Sequence, residues 1–180
     1  MGRKYRSVVL DTSAFIAGFD PSSIIEESYS VPEVEAELTS NSISKIRFKT
    51  SVKSGKLKII APSPKYVNFI KRASGEIGDL GFLSEADISI LALAAQLKDE
   101  GRNPTIITDD YSIQNVAEKL GLKFMSLSTY GIRHQLHWVI YCPACNKKYP
   151  PNRKIMICEN CGAKLKRKPL RRKPVKNNLP

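Results

Sequence analysis

The segment VVLDTSAFIAG, residues 8–18, limits the possible folds of this 180-residue chain more than any other feature. Val8, Val9 and Leu10 form an apolar run of the kind buried in a sheet, and the chain turns at Asp11, Thr12 and Ser13 into the helical-looking Ala14 to Ala17. The pattern then recurs. A short extended piece at residues 30–33 leads into PEVEAEL, with Pro32 in its first turn. Residues 44–54 read as a basic helix, KLKIIAP (56–62) as a strand, and 65–74 as an amphipathic helix with Tyr66, Phe69 and Ile70 inward. Gly75, Gly78 and Gly81 mark a mobile loop. LSEADISILALAAQLKDEG is the strongest helix, with Ser84 as N-cap and Gly101 as its stop. Thr105 to Thr108 form a β-branched strand, a helix runs on to Leu120, and KFMSLS closes the series. This alternation predicts an α/β fold, a parallel sheet flanked by helices.

Ligands of such sheets collect at the carboxyl ends of the strands, where Asp11 and the adjacent Asp109 and Asp110 fall. Each acid has a plain structural reading as well. Asp11 before Thr12 and Ser13 is a good N-cap, and Asp87, three residues after Ser84, completes a capping box. Glu33 and Glu37 stand one turn apart beside the apolar Val34 and Leu38, so they repel unless both face water or something positive lies near. Asp87 shares a stripe with Ile90, Leu91 and Ala94, which turns its carboxylate toward the core side. If the two strands are neighbours, Asp11 and the Asp109/Asp110 pair meet at one edge, where Glu37 and Asp87, read as lying near helix N-termini, could join them. Clustered carboxylates need a cation, and without His or Cys nearby the suited ion is Mg²⁺ or Mn²⁺. Such ions activate water and stabilise the leaving oxygen of a phosphodiester. No GxGxxG, P-loop, DxD nucleophile or Ser/His/Asp set competes with this reading.

All four cysteines lie in one stretch, Cys142-x2-Cys145, twelve intervening residues, then Cys158-x2-Cys161. Paired CxxC knuckles predict one structural Zn²⁺ held by four thiolates, with disulfides as the alternative. The formal charge of +12 is concentrated nearby: residues 164–180 hold eight cations and no acid. A basic appendage of this kind suits a polyanion, most simply nucleic acid, although solvated tails share the composition. Lys147, Lys148, Tyr149, Arg153 and Lys154 between the knuckles, and Lys166, Arg167, Arg171 and Arg172 beyond them, are candidate RNA contacts through phosphates and stacking. The aromatic residues there equally suit a small core. No apolar run is long enough to span a bilayer, and the start MGRKYRSVVLD places an Asp where a signal peptide is apolar. A cytoplasmic location with no membrane partner is the expectation.

In order and spacing over residues 5–128, LDTSAFI, Glu37 in VPEVEAEL, Asp87 in LSEADISILALA and TDD at 108–110 resemble the PIN domain, a nuclease fold related to the flap endonucleases. The resemblance implies acidic residues that hold Mg²⁺ or Mn²⁺ and hydrolyse single-stranded RNA. It points to Asp110 as a ligand with Asp109 beside it, and makes Thr12, Ser13 and Thr108 supporting hydroxyls. A PIN domain followed by a four-Cys zinc ribbon and a basic tail resembles the Nin-one-binding endonucleases of ribosome assembly, in their compact archaeal form. That resemblance implies cleavage of the small-subunit ribosomal RNA precursor at its mature 3′ end on the pre-ribosomal particle, with other assembly factors as further partners. A non-catalytic RNA-binding assembly factor and a toxin-type PIN ribonuclease are the alternatives. The expected division is a PIN-like nuclease domain at 1–130, a linker at 131–138, the zinc ribbon at 139–165 and a flexible basic tail at 166–180.

Overall fold

The computed structural model describes residues 6–128, 131–153 and 155–175. The opening apolar run is strand β1 (Arg6–Leu10), with Val9 and Leu10 wholly buried. β2 (Glu27–Ser30) and β3 (Leu57–Ile59) extend the sheet on one side, and β4 (Asn103–Ile107) and β5 (Lys123–Met125) on the other. All five strands are parallel, in the order β3-β2-β1-β4-β5. Strand order reverses between β1 and β4, and the sheet opens its ligand crevice at such a point. Leu10 lies opposite Ile107, so Asp11 and Thr108 leave the sheet side by side.

Helices α1 (Thr12–Ile16), α2 (Pro32–Glu37), α3 (Ile43–Lys53), α4 (Pro64–Ile77), α5 (Glu85–Asp99) and α6 (Tyr111–Lys119) flank the sheet. α5 is the central one. It packs on β1 and β4 and is covered by α2, α4 and α6, which is why its apolar residues run round the helix rather than along one stripe. Phe15 and Phe48 meet edge to face, with centroids 5.1 Å apart, and join α1 to α3. In α4, Ile70 is buried as expected, but Phe69 is 47% exposed and does not face the core.

A second sheet, antiparallel and ordered β7-β6-β8, holds β6 (His134–Tyr141), β7 (Lys148–Tyr149) and β8 (Lys166–Pro174). The expected linker at 131–138 and flexible tail at 166–180 are therefore corrected. Residues 134–138 belong to β6 and residues 166–174 to β8, while 176–180 lie outside the described residues. A run of like charges stays solvated only when nothing competes for its backbone. Here β6, rich in aromatic and β-branched residues, offers an edge whose N–H and C=O groups need partners.

This sheet docks on the first domain through a small polar cluster. Asn115 of α6 treats β6 as a neighbouring strand would: Leu136 N–H donates to Asn115 Oδ1 at 2.7 Å, and Asn115 Nδ2 donates to the Leu136 carbonyl at 2.9 Å. Asn115 Nδ2 also donates to Asp79 Oδ2, and Asp79, wholly buried, pairs with Arg167 of β8 at 2.7 Å. The Arg167 guanidinium lies 3.8 Å from the Phe82 ring centre and 3.6 Å from that of Trp138. The glycine-rich stretch expected to be a mobile loop is a seam instead. α4 continues through Gly75, and Gly78 ends it at φ +82°, where an added Cβ would come within 2.7 Å of Pro151 Cβ and 3.0 Å of Trp138 Cβ. Only glycine permits that approach.

Candidate active site

Turns at the carboxyl edge of the sheet deliver Asp11, Asp109 and Asp110, the first turn of α5 delivers Asp87, and the last residue of α2 is Glu37. Asp11 follows β1 and is 3% exposed. It occupies the N-cap position of α1 but its side chain makes no cap bond there, so capping does not account for it. Its Oδ2 accepts instead from the Ser13 hydroxyl and the Thr108 hydroxyl, each at 2.8 Å. Burial pushes the Asp11 carboxyl above its usual range, with these two hydroxyls opposing.

A second arc of hydrogen bonds joins α1, α2 and α5. Thr12 Oγ1 donates to Glu37 Oε2 at 2.6 Å, and Ser84 Oγ donates to Glu37 Oε1 at 3.0 Å. Ser84 N–H donates to Asp87 Oδ2 at 2.7 Å, and Asp87 N–H returns to Ser84 Oγ at 3.1 Å. The capping box is thus formed. A cap does not require the remaining surroundings of Asp87. Burial raises its pKa to about 6; the Ser84 backbone N–H opposes this, and the charges of Asp11 and Asp110 add to it. On α2, hydroxyls meet Glu33 and Glu37, Ser89 Oγ donating to Glu33 Oε1 at 3.1 Å, while Lys49 pairs with Glu35 at 3.9 Å.

The structure separates the adjacent pair at the end of β4. Both Asp109 carboxylate oxygens accept from backbone N–H groups of Leu127 and Ser128 at 3.0–3.1 Å, which ties down the segment after β5. Asp110 caps α6 through Oδ1, accepting from Ser112 N–H at 2.6 Å and Ile113 N–H at 3.3 Å. Its own N–H donates to Thr108 Oγ1 at 3.0 Å, and Ser13 Oγ accepts from Asp109 N–H at 3.0 Å. Asp87 lies close enough to Asp11 and Asp110 to feel both charges, and Ser84 ties it to Glu37, while both Asp109 carboxylate oxygens are taken by the backbone after β5. The donor set is all oxygen, which suits a hard divalent cation rather than zinc.

Among the described residues, the four cysteine sulfurs form a group of metal-ligating atoms that all fall within 4.8 Å of one another. Cys142 and Cys161 sulfurs are 3.4 Å apart and those of Cys145 and Cys158 3.5 Å, with all four cysteines free of disulfides. A tetrahedron of thiolates around zinc has edges of about 3.8 Å, so the cluster fits a closed structural zinc site. The two knuckles fold alike. Cys142 and Cys158 carbonyls accept from the N–H groups of Asn146 and Gly162, both in the left-handed region, at 3.0 and 2.9 Å.

Some expected RNA contacts are structural instead. Tyr149 is buried, and its hydroxyl, 3.0 Å from Cys158 Sγ, draws that thiol down to about 6. Arg153 pairs with Glu159 at 2.7 Å and lies over the Tyr149 ring. Arg167 is held by Asp79. Lys147, Lys148, Lys166, Arg171 and Arg172 are exposed, and Lys154 lies outside the described residues. No sequence signal marks Asp79 and Asn115 as docking residues, or the bridge that Ser84 makes between Glu37 and Asp87.

A family model described as the PIN domain of ribonuclease matches residues 8–97. The chain is 37% identical over 166 residues to the endoribonuclease Nob1 of Pyrococcus abyssi, covering 92% of this chain and 96% of that protein. It is 39% identical over 173 residues to the endoribonuclease Nob1 of Methanocaldococcus jannaschii, covering 95% and 79%. Ribonuclease VapC1 of Thermoplasma acidophilum is 32% identical over 164 residues, covering 88% and 81%.

Proposed function

The chain belongs to the Nob1 family of PIN-domain endoribonucleases, and on that premise we propose that it cuts single-stranded RNA at the crevice between β1 and β4, maturing the 3′ end of the small-subunit ribosomal RNA precursor during ribosome assembly. The observation that carries this reading is the convergence of Asp11 and Asp87, one buried and the other pushed up to about 6 beside the charges of Asp11 and Asp110. Carboxylates held together without a basic partner are arranged for a cation.

Asp11, Asp87 and Asp110, with Glu37 beside them, would hold Mg²⁺ or Mn²⁺, which supplies activation of water and charge stabilisation at the leaving oxygen. The protein's own groups do the positioning. Ser13, in the first turn of α1, and Thr108, just past the end of β4, both donate to Oδ2 of Asp11 and fix the orientation of its carboxylate before any cation binds. Ser84 holds Glu37 and Asp87 on one side of the crevice, and Thr12 pins Glu37 from the other. The four-Cys module would hold one zinc ion and present basic residues to the RNA, with the pre-ribosomal particle as the natural partner. No described helix is long and apolar enough to cross a membrane.

RNA spanning the mature 3′ end of the small-subunit rRNA, incubated with protein and Mn²⁺, tests this reading. Wild-type protein is expected to cut at the junction, and Asp11→Asn to bind the RNA but cut at least a hundredfold more slowly. Undiminished cutting by Asp11→Asn overturns the assignment.

A further inference from the structure

A groove of about 500 Å³ runs between the start of α6 and the β6–β8 sheet. One wall is Tyr111 and Ser112; the other includes Arg133, His134 and Arg172, with Trp138 deeper in. Tyr111 is the residue after Asp110, so the groove begins one peptide unit, about 4 Å of chain, from the acidic crevice. Tyr111 is also 56% exposed, a large ring left uncovered at the mouth.

A β-bulge builds the basic wall. Register along β6 and β8 shifts between His137 and Trp138, where Leu170 is the extra residue: His137 faces Arg171 but Trp138 faces Pro169. Directly opposed residues share a face. Arg172, opposite Leu136, and Arg167, opposite Ile140, therefore lie on the same side of the sheet despite being five residues apart, which a regular strand forbids. Arg167 goes to Asp79 and fastens the sheet to the first domain. Arg172 is left for the groove. Asp79 is the one acid among the described lining residues, and Arg167 cancels it, so Arg133 and Arg172 leave the groove net positive.

We propose that this groove binds the stretch of single-stranded RNA that leaves the acidic crevice, with a base stacked on Tyr111 and phosphates held by Arg133 and Arg172. Cation spacing along one wall and an exposed aromatic ring on the other are the pairing that single strands use. The assignment deepens the nuclease reading and rests on it for the direction of the strand, but binding is measurable without cleavage. The docking cluster of Asp79, Asn115 and Arg167 then acts as a positioning device, because it sets the distance between the bound strand and the carboxylates.

Fluorescence anisotropy with a labelled single-stranded oligoribonucleotide tests the groove, using full-length zinc-loaded protein with no Mg²⁺ or Mn²⁺ present. Arg133→Ala with Arg172→Ala is expected to weaken binding about tenfold and to lower the slope of log K against log salt by about 1.4, the share of two phosphates. Tyr111→Ala is expected to lose about fivefold with the slope unchanged, and Tyr111→Phe to retain affinity. Lys53→Ala with Lys56→Ala, exposed cations near β3 at the far edge of the sheet, serves as the comparison. Groove variants that bind like wild type, or a comparison variant that loses as much, overturn the proposal. Absence of cleavage by the wild-type protein would count against the nuclease reading and leave this comparison intact.

Discussion

Asp79, on the turn before α5, and Arg167, on β8, meet in a buried ion pair at 2.7 Å across 88 residues of sequence. Burial raises the aspartate and lowers the arginine from their ordinary values, each toward its neutral form. The pair therefore fixes where the two modules meet more than it adds stability. Asp79→Ala strands the guanidinium and is expected to reduce the free energy of unfolding by about 3 kcal/mol. Asp79→Leu combined with Arg167→Met is expected to recover most of that loss. Denaturant titration of the three proteins checks it.

The pH dependence of metal binding follows from Asp87, whose carboxyl is held at about 6 by burial and then by its acidic neighbours. A raised pKa in the folded state means the fold keeps this proton more tightly than the unfolded chain does. Its contribution to the stability of metal-free protein is present at low pH and is lost as pH rises from about 4 through 6. A cation needs the ionised form, so its effect runs the other way. Mn²⁺ is expected to raise Tm more at about pH 7.5 than at pH 5, and Asp87→Asn to flatten that difference. Scanning calorimetry at both pH values measures it.

Ser84 has two duties, closing the capping box of α5 and donating to Glu37. Ser84→Ala is expected to cost about 1 kcal/mol through the cap and also to reduce RNA cutting several-fold as Glu37 loses a tether. Thermal melts and single-turnover cleavage separate the two effects. A stability loss with wild-type cutting would confine Ser84 to capping.

Zinc removal should dissolve the small sheet locally, since its buried cluster is little more than Ile140, Tyr149, Leu165 and the cysteines. Cys158→Ser is expected to lose dispersed amide signals from β6–β8 while those of the parallel sheet persist, and to weaken RNA binding roughly tenfold. Backbone NMR spectra and anisotropy on the same samples check both parts.

The sheet was legible where a strand is a short apolar run closed by a turn and followed by a helix, as in β1 and β4, and not at β2, whose ESYS carries no such run. β1 and β4 announced themselves through Val9, Leu10, Ile106 and Ile107, all buried as their pattern demands. The acids at their ends were legible for the same reason. Asp109 and Asp110 were not distinguishable, because the difference is where each carboxylate finds N–H groups: after β5 for one, at the start of α6 for the other. The docking seam was illegible. Asp79 and Arg167 are an ordinary acid and an ordinary base in sequence, and a charge run such as β8 reads as tail until a partner edge and a buried counter-charge are known. Tyr149 shows the reverse error: an aromatic among cations suggested stacking on RNA, but its hydroxyl was needed at a cysteine sulfur.

Diffraction from crystals soaked in Mn²⁺, recorded at the manganese absorption edge, probes the acidic crevice most directly. The predicted result is an anomalous peak bounded by Asp11, Asp87 and Asp110 that disappears in Asp87→Asn. Manganese bound elsewhere, or a crevice that stays empty with its carboxylates in place, would contradict a metal-dependent nuclease at this edge of the sheet.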